Sequence, residues 1–179
     1  MSEDKGIQPI DVANLQHSED LLKVEDILIE ECEAKDMIGF RMTNCPATQK
    51  SVTPTAYLYE GKYNPTKEEL DLLGEELRKK YATARGLSMF ATEEKAEKQA
   101  NRLMKKNLKE LGEEEAEIFM EENAYLVKFV IPAVAGVSTK PHRTTKHFNF
   151  FPNQEIDVLD LMDATYGYKK IDYDYDKDE

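Results

Sequence analysis

Tyr125-Leu126-Val127-Lys128-Phe129-Val130-Ile131, closed by Pro132, carries the strongest strand signal in the chain, because β-branched and aromatic residues dominate it. A second aromatic run, His147-Phe148-Asn149-Phe150-Phe151, ends on Pro152 in the same way. Strands this apolar must be covered, and helical spacing elsewhere supplies the cover.

Upstream, Ser18 stands as an N-cap before Glu19 and Asp20, and Leu21, Val24, Leu28 and Cys32 follow at helical spacing. This predicts a helix to about Ala34, with a short strand at Ile27-Leu28-Ile29 as the alternative. Met37 to Met42 and Val52 to Tyr59 read as strands, Pro54 placing the second at a sheet edge or standing at the strand's start. Thr66 and Glu69 have capping-box spacing, and Leu70, Leu73, Leu77 and Tyr81 mark one face of a helix predicted from Lys67 to Ala82, across Gly74.

Gly86 opens a turn into a strand ending at Phe90, and Thr92 caps a helix whose inward face runs through Ala96, Ala100 and Leu103 until Gly112 stops it. Shorter helices are expected over Glu113 to Asn123 and around Ile156, Leu159 and Met162. Helices and strands do not alternate as regular βα units. The order predicts an α+β fold, a small mixed or antiparallel sheet against two or three helices. Residues 1–17 read as a polar arm, 18–165 as one domain, and 166–179 as an acidic Tyr/Asp-rich tail.

The chain has 179 residues, 24 basic and 36 acidic, for a net charge of -12. That balance favours solubility and opposes direct nucleic-acid or anionic-membrane binding. Cys32 and Cys45 lack the company of a disulfide framework or a zinc set, so reduced thiols are expected, at least one of them buried, and neither metal nor cofactor. Met-Ser-Glu-Asp-Lys-Gly is not a secretory leader, and no apolar run approaches the ~20 residues of a membrane span. The expected location is cytoplasmic, or a virion if the protein is viral.

Against this acidity, the residues between Asn123 and Gln154 include no Asp or Glu, while Lys128, Lys140, Arg143 and Lys146 give the stretch +4. The remainder therefore carries -16. The centre of the stretch, Ser138 to His147, combines Lys140, Arg143 and Lys146 with hydroxyls and with His142, chemistry suited to phosphate or carboxylate. It has neither Walker A spacing nor a glycine cradle, and it could instead balance acidic neighbours such as the tail. In the tail, alternation puts Tyr173 and Tyr175 on one side of an extended chain and Asp174 and Asp176 on the other, the form of an arm that grips a partner.

Arg41 in an early strand, Ser88 in a central strand and the His-containing basic hairpin ending at His147 are similar to the distribution of an Arg, a Ser and aromatic residues around the nucleotide cleft of ADP-ribosyltransferase-like folds. The resemblance implies a nucleotide-handling enzyme. It also implies an acidic residue on the late strand, and His147 to Phe151 contains none.

No nucleophile-elbow or other catalytic signature occurs. The leading expectation is a non-enzymatic binding or assembly protein, a structural component of a larger complex or of a phage or viral particle, with other protein subunits as partners. The alternatives are the nucleotide-handling enzyme, whose ligand would bear phosphate, and an acidic inhibitor of a nucleic-acid-binding protein. The candidate contacts are Arg41, Ser88, Lys140, His142, Arg143, Lys146 and His147, with Tyr173, Asp174, Tyr175 and Asp176 in the tail.

Overall fold

The computed structural model describes residues 10–58 and 64–176. Its centre is one antiparallel seven-stranded sheet in the order β1-β5-β6-β3-β2-β4-β7, which makes the protein α+β. The strands are β1 (Cys32–Glu33), β2 (Met37–Thr43), β3 (Leu87–Phe90), β4 (Tyr125–Ile131), β5 (Gly136–Thr139), β6 (His147–Pro152) and β7 (Lys169–Lys170). The helices are α1 (Ser18–Leu21), α2 (Glu25–Glu31), α3 (Lys67–Asp71), α4 (Glu75–Thr83), α5 (Glu93–Leu111) and α6 (Glu113–Glu122). Among the described residues no helix is long and apolar enough to cross a membrane.

β4 lies where its sequence demands, between β2 and β7, and pairs with β2 along its whole length from Tyr125 opposite Thr43 to Ile131 opposite Met37. β3 pairs fully with β6 but meets β2 at one residue pair, Phe40 opposite Phe90. The sheet is therefore weakly joined at its middle. Alternation sends successive side chains to opposite faces. One face carries Met89, Val127, Phe129, Phe148 and Phe150, packed with Val52 and Val158 from two 3-10 turns, Gln49–Val52 and Val158–Leu161. On the other face α5 lays Ala96 and Ala100 against Phe90 and Leu126, while Leu21, Leu28, Leu70 and Tyr81 gather over Val137 and Phe151. Each wholly buried phenylalanine contributes about 2–3 kcal/mol of transfer free energy.

Several local predictions change. Val52 to Leu58 is not a strand but falls in two 3-10 turns, Gln49–Val52 and Thr55–Tyr57, because Pro54 removes a ladder donor and the capping box at Thr48 and Ser51 favours the turn; Tyr59 lies outside the described residues. The helix predicted from Lys67 to Ala82 is two helices. Gly74 adopts extended angles and caps α4 while the Thr66–Glu69 capping box starts α3. The helix expected from Ser18 to Ala34 contains a 3-10 turn at Leu22–Val24 and ends at Glu31, where the chain turns extended to pair Cys32 with Thr139. Gly112, at φ 104, ends α5 and lets α6 start at the next residue.

Both expected arms lie partly within the fold. Residues 1–9 and 177–179 are outside the described residues, but Val12 and Leu15 are core residues and Leu15 bridges to Asn153. At the other end Ile171 is buried under α5. The two side-chain groups of Asn101 hold the backbone beyond it, Nδ2 donating to the Asp172 carbonyl at 3.1 Å and Oδ1 accepting from the Asp174 amide at 2.9 Å. Tyr173 donates its hydroxyl to the Asn123 carbonyl at 2.6 Å, the Tyr175 hydroxyl lies 3.9 Å from the Met120 sulfur, and the Asp176 amide donates to the Asp174 carboxylate at 2.9 Å.

Candidate functional site

The sequence of adjacent strands β6-β3-β2 brings three predicted residues into one neighbourhood, His147 at the head of β6, Ser88 in β3 and Arg41 in β2. Ser88 stands opposite Asn149, so its hydroxyl reaches diagonally to His147, and Ser88 Oγ and His147 Nε2 share a hydrogen bond of 2.6 Å. The His147 ring is set edge-on against Phe90, with centroids 5.3 Å apart. Burial first, and then the nearby His142, lower the pKa of His147 below the ordinary histidine value, which keeps the ring neutral and able to accept a proton.

Arg41 projects from the opposite face, as do Gly39 and Thr43, two residues away on either side. Its reach is nevertheless coupled to Ser88. Nη1 donates to the Ser88 carbonyl at 2.6 Å and Nε to the Ser51 carbonyl at 2.8 Å. The guanidinium thus links β3 to the 3-10 turn over the single-pair junction of β2 and β3. Burial pushes its pKa down to about 10, since no carboxylate pairs with it among the described residues.

The basic segment forms a closed hairpin turn between β5 and β6. His142 N–H donates to the His147 carbonyl at 2.8 Å and Lys146 N–H to the His142 carbonyl at 2.9 Å. The His142 Nδ1 accepts from the Thr144 and Thr145 amides, at 3.3 and 3.2 Å, so the imidazole is a structural acceptor inside its own turn. Lys146 takes φ 59, a left-handed conformation at the step into His147. Among the described residues Lys140, Arg143 and Lys146 form no ion pair. Tyr173, Asp174 and Tyr175 contact α5, α6 and the Asn123 that follows α6, Asp176 meets Asp174, and the cleft beside Arg41 includes no hairpin residue.

Sequence reasoning missed a second polar group, built from residues far apart in the chain. Asp20 accepts from the Tyr57 hydroxyl at 2.7 Å, from Lys23 at 3.3 Å and from Arg85 Nε at 3.4 Å, and His17 stacks on Tyr57 with centroids 3.9 Å apart. Arg85 is buried, donates to the Tyr81 carbonyl and sits 3.4 Å over the Tyr81 ring. The mutual satisfaction of its charges makes this group a brace between α1, α4 and the turn at Thr55–Tyr57. No periodic signal announces it, because each member is an ordinary polar residue in its own segment.

Comparison of the chain with protein-family models, with curated proteins and with solved structures returned no match in any of the three.

Proposed function

We propose that the protein binds a phosphate-bearing ligand of the nucleotide class at the Ser88–His147 pair, with the β5–β6 hairpin supplying the positive charge. The observation that carries the reading is the hairpin itself. Three cations without an acidic partner among the described residues, in a protein of net charge -12, stand on a turn closed by its own hydrogen bonds and next to the Ser88–His147 contact. A preorganised cationic turn loses little entropy on binding. Phosphate oxygens would take the Lys and Arg donors, and with His147 Nε2–H donating to Ser88 Oγ, the Ser88 O–H remains as a donor and His147 Nδ1 as a proton acceptor for a nearby ribose hydroxyl.

Arg41 projects from the opposite face of the sheet to Ser88 and His147, so the proposed site keeps the Ser and the His of the ADP-ribosyltransferase-like comparison without its Arg in the same cleft. On this reading Arg41 is a positioning residue, because it acts through the Ser88 carbonyl. In the tail, Asn123 and Asn101 engage the Tyr173 hydroxyl and the backbone of Asp172 and Asp174, while Tyr175 and Asp176 stay exposed and available to the other expected reading, a binding or assembly protein.

Calorimetric titration with NAD, with AMP and with adenosine tests the proposal. The two nucleotides should bind with salt-dependent affinity and adenosine should not. The double substitution Arg143→Ala, Lys146→Ala should weaken nucleotide binding by about tenfold or more. No nucleotide binding at millimolar concentration, or affinity unchanged in the double variant, would overturn it.

A further inference from the structure

The cleft beside Arg41, on the face of the sheet away from Ser88 and His147, has an unused cation at one wall. A guanidinium has five N–H donors. Two of those in Arg41 go to the Ser51 and Ser88 carbonyls, and the other three have no acceptor among the described residues. Carbonyl dipoles satisfy direction but leave the charge uncompensated, and a partly buried, unpaired cation is unfavourable unless an anion joins it. Desolvation of this guanidinium has already lowered its pKa.

A second observation comes from the wall of the same space. Thr43 is only 4% exposed, and its hydroxyl is buried with no hydrogen-bond partner among the described residues. Thr43 lies two residues from Arg41 on β2, so the two side chains share a face, and both line a cleft of about 370 Å³. A buried hydroxyl without a partner costs about 1–3 kcal/mol, which a ligand oxygen would recover once rotation about the Thr43 Cα–Cβ bond turned the hydroxyl, closed off from the cleft as it stands, toward it. Lys50, exposed on the turn that holds Ser51, adds a second cation to the wall, and Glu122, exposed at the end of α6, adds a carboxylate. Two cations, one hydroxyl and one opposing anion suit a ligand of low charge.

We propose that this cleft binds a small oxyanion, a carboxylate or a single phosphate group, between the Arg41 guanidinium and the Thr43 hydroxyl, with Lys50 contributing charge. The site includes no residue of the hairpin and is independent of nucleotide binding there. Because Arg41 also holds the Ser88 carbonyl, occupancy on one face would reach the residue that meets His147 on the other.

The test uses the whole protein with Lys140, Arg143 and Lys146 replaced by alanine, which removes the hairpin as a competing anion site. Inorganic phosphate and acetate are titrated separately and followed by amide chemical shifts and calorimetry. Saturable shifts confined to Arg41–Thr43 and residues 50–51 are expected from at least one anion, and which one responds assigns phosphate or carboxylate. Thr43→Val should weaken that anion by about fivefold to tenfold, for loss of one hydrogen bond to a charged group, and Glu122→Gln should strengthen it. Without ligand, Thr43→Val should melt no lower than the parent, since the substitution removes an unsatisfied polar atom. This variant keeps the test open if Arg41→Ala does not fold. Absence of saturable binding by both anions at tens of millimolar, or affinity unchanged by Thr43→Val, would overturn the proposal.

Discussion

The Arg41 guanidinium reaches the Ser88 carbonyl at 2.6 Å just where the β2–β3 ladder stops, so a side chain does there what backbone pairing does elsewhere in the sheet. Removing it leaves the Ser51 and Ser88 carbonyls without this donor. Arg41→Ala should lower the unfolding free energy by about 2–4 kcal/mol in urea titration, and Arg41→Lys should restore less than half, because an ammonium cannot span both carbonyls with a rigid fork. A loss below about 0.5 kcal/mol for the alanine variant would show that the two strands do not depend on this contact.

The cysteines separate by environment. Cys32 is buried in the helix-packed cluster, and its thiol is pushed up to about 12, first by burial and then by the charge of Glu31; Cys45 is exposed. Only the thiolate reacts with disulfide reagents. Ellman's reagent at pH 8 should therefore titrate one thiol in the folded protein and two in denaturant, and Cys45→Ser should abolish the fast reaction. Rapid reaction of both native thiols would contradict the burial of Cys32.

Much of the fold was legible where one segment contained its own instructions. β4, β6, the Thr66 capping box and the Thr92-to-Gly112 helix all declare themselves locally, through apolar density, a cap pair or a terminating glycine. The failures share a cause in partners distant in sequence. β1 and β7 are two residues each and exist as strands only through their ladders to β5 and β4. Of the candidate site, Arg41, Ser88 and the basic hairpin were visible as residue types, and the 2.6 Å contact between Ser88 and His147 needed the antiparallel register of β3 and β6. Thr43 could not be found from sequence, since its significance is the missing partner of a buried hydroxyl.

Two histidines give the protein a defined response to mild acid. Burial lowers the pKa of both His17 and His147, with Asp20 opposing it and Arg85 reinforcing it at His17, and His142 reinforcing it at His147. A base with a depressed folded pKa binds its proton more readily in the unfolded chain, so its contribution to stability is complete above the ordinary value of 6.5 and declines as pH falls below it. The decline levels once the folded histidines are themselves protonated. Asp26, held low first by hydrogen bonds from Arg78, adds a separate loss at more acid pH as it is protonated. Chemical denaturation between pH 8 and 5 should show falling stability, and His147→Gln should flatten part of that slope. A pH-independent midpoint, or the same slope in the variant, would reject the assignment.

Asn101 tests whether the C-terminal segment belongs to the domain energetically as well as spatially. It is a polar residue at a buried position of α5, and its side-chain amide satisfies the Asp172 carbonyl and the Asp174 amide at once. A segment without regular secondary structure has few other ways to satisfy its backbone, and a buried amide unsatisfied by any partner would be costly. Asn101→Ala should therefore release residues 172–174 while Ile171 still anchors the chain under α5, at a cost of about 1–2 kcal/mol. Native-state hydrogen exchange should show the Asp174 amide exchanging at least tenfold faster, with the β4 amides unchanged. If Asp174 kept its protection in the variant, the clamp would lie elsewhere, and the Tyr173 contact to the Asn123 carbonyl would be the next bond to remove.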